Sequence, residues 1–277
     1  MHIFYKLLVI VILINLQSCA KKEEKELPKI TQLNQELELV TTYKDALDNL
    51  KNGDPYYAAE KFLQSELAYP QSIWAPKSAL MAAYSYYLQE NYSESKFQLE
   101  RFIKTYPSDK NLVYAHYLIA ICHYEIIVDE KKDLAPLLES KKKFNYLIKN
   151  YPNTEFARDS SYKIDLINEI LASKEMYIGR FYLQKKKWIP AVNRFKNILD
   201  HYKTSIYTEE AVHRLVEIYY RLGLIEESKK YATILGYNYA SSEWYKKSYA
   251  LFNQKYKEPT IKKDRKKLRK KFKSLFE

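Results

Sequence analysis

Residues 55–70 read PYYAAEKFLQSELAYP, and the plan of that stretch returns four more times. The other copies are YSESKFQLERFIKTYP (92–107), LLESKKKFNYLIKNYP (137–152), WIPAVNRFKNILDHYK (188–203) and IEESKKYATILGYNYA (225–240). Each closes on Tyr: Tyr69-Pro70, Tyr106-Pro107, Tyr151-Pro152, Tyr202-Lys203 and Tyr239-Ala240. Twelve residues before the last position stands a small residue every time: Ala58, Ser95, Ser140, Ala191 and Ser228. Eight before it stand Phe62, Leu99, Phe144, Phe195 and Ala232, and fifteen before it Pro55, Tyr92, Leu137, Trp188 and Ile225. A small side chain repeated at one helical position marks a place where two backbones approach. The chain therefore reads as a helical repeat array, an architecture that commonly serves as a binding scaffold.

Working outward, apolar residues recur at i, i+3, i+4 and i+7 through nearly every segment. A first helix is expected over 35–51, ended by the left-handed signal Asn52-Gly53. Asp54-Pro55 restarts the chain with a cap and a first-turn proline. Further helices are expected from near Trp74 with a turn at Glu90-Asn91, and from near Leu112 with a charged connection over 129–136. A long helix then runs from Glu155, capped by Asn153-Thr154, to about Lys185. Gly223 and Gly236 are expected to end the helices of the last pair, and a final helix to cover 242–256, with Pro259 closing the body. Successive Tyr marks are 37, 45, 51 and 37 residues apart, so the middle of the array is expanded. With only 4 Gly and 9 Pro the chain lacks the turn formers of an all-β fold. The small residues, aromatics and terminal prolines resemble tetratricopeptide units. The expected fold is all-α, a tetratricopeptide-like helical solenoid of about five helix pairs with a concave surface.

The ends differ from the body. His2 and Lys6 precede an apolar run from Leu7 to Leu16, too short to span a bilayer and suited to a secretory signal. Leu16-Gln17-Ser18-Cys19 resembles the bacterial lipobox, which implies a signal peptide over 1–18 and diacylation of Cys19 as the first mature residue. In such lipoproteins an Asp after the Cys marks inner-membrane retention; Ala20 here favours the outer membrane. More than one acyl chain anchors stably. Residues 19–33 then form a lipidated tether, and 34–257 the repeat domain. The net charge of +12 is concentrated at the other end, where residues 255–277 hold 11 Lys and Arg against 3 Asp and Glu. The body is close to balanced, so its composition implies no nucleic-acid face. In the tail, 258–277, Lys262, Lys263, Arg265, Lys266, Lys267, Arg269, Lys270 and Lys271 surround Leu268, Phe272, Leu275 and Phe276. That pattern is either a basic amphipathic helix, suited to an anionic membrane or an acidic partner, or a disordered charge run.

Candidate chemistry dissolves when placed in repeat phase. Glu94-Ser95-Lys96-Phe97 resembles the Glu-Ser-x-Phe signature of lytic transglycosylases, but Glu139-Ser140 and Glu227-Ser228 occupy the same phase. The Ser is the small packing residue. His116 and His123, with Cys122 adjacent, lack the i, i+4 spacing and third ligand of a metal site and read as packing residues. With Cys19 assigned to lipid, Cys122 has no disulfide partner. The scarcity of Gly leaves no phosphate loop. No catalytic residue, metal or cofactor is assigned.

A lipobox, a short tether and five such units together resemble the BamD family, lipoproteins of the outer-membrane β-barrel assembly machinery. Tyr69-Pro70-Gln71-Ser72-Ile73-Trp74-Ala75 resembles the first inter-repeat turn of that family, followed by Ala79, Ala83-Tyr84 and Tyr92. Residues 174–183, KEMYIGRFYL, resemble its fourth-repeat motif. Arg214-Leu215-Val216-Glu217, Gly236-Tyr237-Asn238-Tyr239 and Trp244-Tyr245 resemble its end, and the likeness spans about residues 35–255. The connection 129–134 departs from the family pattern at Lys132 and Leu134, and the basic tail is no part of it. The resemblance implies a non-enzymatic scaffold on the periplasmic face of the outer membrane. Its N-terminal repeats would engage unfolded outer-membrane clients and its C-terminal repeats the periplasmic domains of the central barrel protein, with accessory lipoproteins as further partners. Lys174, Glu175, Arg180, Arg214 and Glu217 are the expected contacts to the barrel protein. By residue type alone they fit intramolecular ion pairs on long helices equally well. A different periplasmic adaptor, for example one coordinating cell-wall synthesis, would share the repeats but lack the motifs at 174–183 and 244–245.

Overall fold

The computed structural model describes residues 29–126 and 133–253, with side chains from Leu37 onward. Cys19, the signal segment and the tail lysines and arginines from Lys262 to Lys271 lie outside the described residues, as do residues 127–132. The described residues form eleven α-helices and no strand, an all-α fold of tetratricopeptide-like helix pairs. They are α1 Lys29–Lys51, α2 Pro55–Ala68, α3 Ala75–Leu88, α4 Tyr92–Thr105, α5 Leu112–Glu125 and α6 Ala135–Asn150. Then follow α7 Glu155–Gln184, α8 Trp188–His201, α9 Thr208–Arg221, α10 Ile225–Asn238 and α11 Glu243–Phe252. The chain divides into two compact units at residue 89/90. In the first, α2 packs on both α1 and α3; in the second, each helix from α4 to α10 packs on the next, and α11 packs on α9 and α10.

The five Tyr marks turn out to be five helix ends of one geometry. Tyr69, Tyr106, Tyr151, Tyr202 and Tyr239 cap α2, α4, α6, α8 and α10 at the C-terminus, with φ between −139° and −123° and ψ between 40° and 61°. Each carbonyl then accepts from the amide three residues on, at 2.9–3.1 Å, closing a turn. Pro70, Pro107 and Pro152 stand at the second position of that turn, which a proline ring pre-forms. The fourth position is Ser72, Asp109, Thr154, Ser205 or Ser242. Thr154 and Ser242 cap the next helix through the amides of Ala157 and Tyr245 (3.2 and 3.0 Å). Ser72, Asp109 and Ser205 instead accept from the amide two residues on (3.1, 2.7 and 3.2 Å).

The opposite connections use a left-handed residue. Gly53 and Gly223 have φ of 85° and 76°, and Glu90 and Lys186 hold the corresponding place at 58° and 56°. After Gly53, Lys186 and Gly223 the next amide reaches back to Asn49, Tyr182 and Tyr219 at 2.9 Å, the helix-closing bond of a Schellman end. Gly236, expected to end a helix, lies inside α10 instead. A Cβ there would meet Tyr245 Cε2 at 3.1 Å, so this glycine serves the approach of α11 rather than a turn. Two other expectations shift: α1 opens at Lys29 and α11 stops at Phe252.

The small position is fully buried in all five copies: Ala58, Ser95, Ser140, Ala191 and Ser228. Ser140 and Ser228 donate to the carbonyls of Ala120 and Val216 on neighbouring helices (2.9 and 2.8 Å), and Ser95 accepts from Cys122 (3.4 Å). Buried hydroxyls in that place are thus satisfied as well as small. Phe62, Leu99, Phe144 and Phe195 are equally buried; in the fifth copy Ala232 is only half-buried and Leu235 fills the core. The expanded middle has a concrete cause in α7, which runs 30 residues. Ala157, Ser160 and Ile167 bury its first half, while Met176 joins Ala191, Phe195, Ile198, Ala211 and Leu215 in the core of α8 and α9. Gly179 permits that contact, since a Cβ there would lie 2.5 Å from the Phe195 ring.

Candidate functional site

On α9, Glu210, Arg214, Glu217 and Arg221 follow at i, i+4, i+7 and i+11, one row along one face. From α7, Arg180 donates through Nε to Glu210 Oε1 (2.9 Å) and through Nη2 to Oε2, a fork on one carboxylate. Arg214 donates to the same Oε1 through Nε and Nη2 (3.2 and 3.1 Å) and to Glu217 through Nη1 (2.9 Å). Arg221 Nη2 completes the row on Glu217 Oε1 (2.7 Å). The result is a ladder of alternating sign, Arg180–Glu210–Arg214–Glu217–Arg221. Burial alone would push the Glu210 carboxyl up, but hydrogen bonds and charge from Arg180 and Arg214 outweigh it and hold the group below the usual carboxylate range.

The ladder is tied to α11 through Trp244. The Arg214 guanidinium lies 5.4 Å from that ring's centre and Lys247 Nζ 4.3 Å. His213, buried beside Arg214, places Nδ1 2.8 Å from Ser248 Oγ and its ring 5.2 Å from Trp244. Burial, then the positive charge of Arg214, lowers its pKa to about 4. The imidazole is neutral at ordinary pH, and α11 docks on an uncharged group.

The five expected contact residues are divided by this geometry. Arg180, Arg214 and Glu217 meet in the ladder. Glu175 stands well round the helix from Arg180 and accepts from Arg194 Nη1 across to α8 (3.1 and 3.2 Å). That pair lines a cleft of about 480 Å³ shared with Tyr182, Pro190, Lys196 and Asp200. Lys174 is half-buried beside Glu175. Glu210, Arg194 and Arg221 are the residues that sequence reasoning passed over. Glu210 and Arg221 were within reach, because they sit four residues from Arg214 and Glu217. The Arg180–Glu210 and Arg194–Glu175 pairs join different helices and had no local signal.

The residues set aside as catalytic or metal-binding sit in packing roles. Ser95 is buried and Glu94 accepts from Gln98 Nε2 at 2.7 Å. The His116 ring lies 5.0 Å from Tyr146 and 6.2 Å from Tyr151, and burial with the charge of Lys143 lowers its pKa. Cys122 is buried and its thiol is pushed up by burial. Among the described residues no group of three His, Cys, Asp or Glu is placed to hold a metal ion.

Comparison with known proteins covers most of the repeat body. A family model described as outer membrane lipoprotein matches residues 35–235. The chain is similar to the outer membrane protein assembly factor BamD of Rickettsia prowazekii, 42% identical over 213 residues that cover 77% of this chain and 85% of the relative. It is 37% identical to the protein of the same name from Caulobacter vibrioides over 243 residues, 88% of this chain and 78% of the relative. The Neisseria meningitidis serogroup A protein of that name is 25% identical over 237 residues, covering 82% of this chain and 88% of the relative. Helix pairs with a small buried residue in each copy, and a family match that runs from the first helix into the fifth copy, place this chain in the YfiO family of outer membrane lipoproteins.

Proposed function

We propose that this chain is a lipid-anchored, non-enzymatic scaffold that serves the folding and insertion of β-barrel proteins into the outer membrane. The observation that carries the reading is 42% identity, over 213 residues, to a protein named outer membrane protein assembly factor BamD. Cys19 is the acylation site that holds the chain at the periplasmic face, behind a signal peptide of residues 1–18. The repeat body binds the periplasmic domains of the central barrel protein and the unfolded client chains, with accessory lipoproteins as further partners. Lys174, Glu175, Arg180, Arg214 and Glu217 supply contacts to the barrel protein. The repeat architecture supports this reading because stacked helix pairs create extended binding surfaces.

Crosslinked pull-down from outer membranes, read by mass spectrometry, tests it. The expected result is stoichiometric recovery of the barrel protein with client chains. Recovery of cell-wall synthases in its place would move the chain to the other adaptor class.

A further inference from the structure

We propose that the edge of the second unit where α7, α9 and α11 end binds an anionic phospholipid surface. Lys185, Lys186 and Lys187 supply its fixed charge, Leu222 and Leu224 its apolar contact, and the basic residues 262–271 that follow α11 in sequence extend it. The inference goes beyond the scaffold reading and does not depend on it, because the contact needs neither a protein partner nor acyl chains at Cys19.

Short turns between packed neighbours make successive helices antiparallel. From α7 to α11 every helix packs on the next across such a turn. α7, α9 and α11 therefore run parallel, and their C-terminal ends share one edge with the α7–α8 and α9–α10 connections. The ring of Phe252, which closes α11, meets Tyr220 edge-on at 5.4 Å, beside the α9–α10 connection. The described chain thus ends on this edge, at Asn253. Both connections are held in place. The Lys187 and Leu224 amides bond back to the carbonyls of Tyr182 and Tyr219 at 2.9 Å, around the left-handed residues Lys186 and Gly223. Their side chains are displayed on fixed backbone.

Lys185, Lys186 and Lys187 are all exposed, and among the described residues none of them is in an ion pair. Carboxylates close to the edge are already matched: Glu217 by Arg214 and Arg221, Glu226 by Lys229 (2.9 Å) and Glu227 by Lys230 (2.6 Å). The three lysine charges are therefore uncompensated. Aliphatic side chains stand beside them, with Ile189 76%, Leu222 44% and Leu224 50% exposed. Residues 255–277 add 11 Lys and Arg against 3 Asp and Glu, interleaved with Leu268, Phe272, Leu275 and Phe276. Cations next to aliphatic groups match a bilayer interface, with head-group phosphate outside and acyl chain beneath. Single-stranded nucleic acid calls for exposed aromatic platforms, whereas Trp188 of this edge packs on the core of α8 and α9. Lysine is depleted in protein interfaces and leucine seldom carries their binding energy, so an acidic protein fits less well than lipid.

The test pellets residues 19–277 carrying Cys19→Ala, so that no acyl chain holds the protein, with phosphatidylcholine vesicles that contain or lack phosphatidylglycerol. Binding is expected only with phosphatidylglycerol, and to fall as salt rises. One cation near such a surface strengthens binding about fivefold, so Lys185→Gln, Lys186→Gln and Lys187→Gln together should weaken it about thirty- to hundredfold. A chain ended at Lys257 should bind more weakly still. Leu222→Ser with Leu224→Ser should weaken binding about tenfold at unchanged salt dependence. All these positions are exposed, and Leu224 is the N-cap of α10, a place that suits serine, so the variants should melt like the parent. Absence of binding to phosphatidylglycerol vesicles overturns the proposal, as does parent-like binding by the triple lysine variant or by the chain ended at Lys257. Tighter capture by polyglutamate or single-stranded DNA than by the vesicles overturns it in favour of those partners. None of these results touches recovery of the barrel protein in the pull-down, so the two readings fail separately.

Discussion

Lys186 occupies a backbone place that glycine fills in two sister connections. Its φ of 56° matches the left-handed turn of Gly53 and Gly223, where a Cβ costs on the order of 1 kcal/mol. Lys186→Gly is expected to raise the unfolding free energy by about 0.5–1 kcal/mol, read as a higher urea midpoint at unchanged slope. A lower midpoint would show that the lysine side chain contributes more than the turn geometry takes away. His213 makes a second residue-scale case. Its imidazole faces Arg214 and Lys247, which oppose protonation, and Glu210 and Glu217, which favour it; burial and the cations win, and the pKa falls to about 4. An unfolded histidine takes a proton near 6.5, so between about pH 6.5 and 4 the unfolded chain binds the extra proton. Stability from this group is full above that window and is lost as pH falls through it, by an amount on the order of 3 kcal/mol. Glu210, held low, loses its own contribution in the same acid direction at lower pH. His213→Gln should flatten the pH 4–6.5 part of the stability curve relative to the parent. Parallel curves for the two proteins would mean that the imidazole takes up its proton as readily in the fold as in the unfolded chain.

Among the elements, the repeat was legible because its signals are local. A small residue, an aromatic and Tyr-Pro each constrain the chain within about four helical turns, and the structure uses all three as helix contact, core and cap. The Ser, Asp or Thr three residues after each Tyr belongs to the same signature and identifies the turn as strongly as the proline does. Tyr202 has the dihedrals of the prolyl copies (φ −133°, ψ 46°) but precedes Lys203. Lys203→Pro should therefore be accepted without strain and stabilise by about 0.4–1 kcal/mol through the unfolded state. A loss of thermal stability would show that the turn at 202–205 differs from those at 69–72, 106–109 and 151–154. Gly236 illustrates where local reading fails. Near a helix end a glycine signals a stop, and only the position of the Tyr245 ring on another helix gives it a different task. The length of α7 was legible for the complementary reason, since nothing between Thr154 and Lys185 breaks it.

For the whole molecule the decisive residue lies outside the described part. Cys19→Ala removes the thiol that acylation needs. The variant should lose incorporation of labelled palmitate and stop fractionating with the outer membrane. Retention of both would eliminate the lipobox reading while leaving the repeat body untouched. Tail charge and repeat phase are properties of contiguous residues, and each follows from charge or helical periodicity acting over short distances. The sequence by itself therefore determined the all-α class, the number of repeat marks and the family resemblance. Tertiary structure alone decided which charges meet. Arg180 and Glu210 are thirty residues apart, and Glu175 and Arg194 nineteen, on different helices whose spacing no local rule sets. Of the five expected contact residues, Arg180, Arg214 and Glu217 meet in a buried-carboxylate ladder, and Glu175 pairs with Arg194 elsewhere round α7. Pairing energy depends on distance and burial, and both are fixed only when the helices pack.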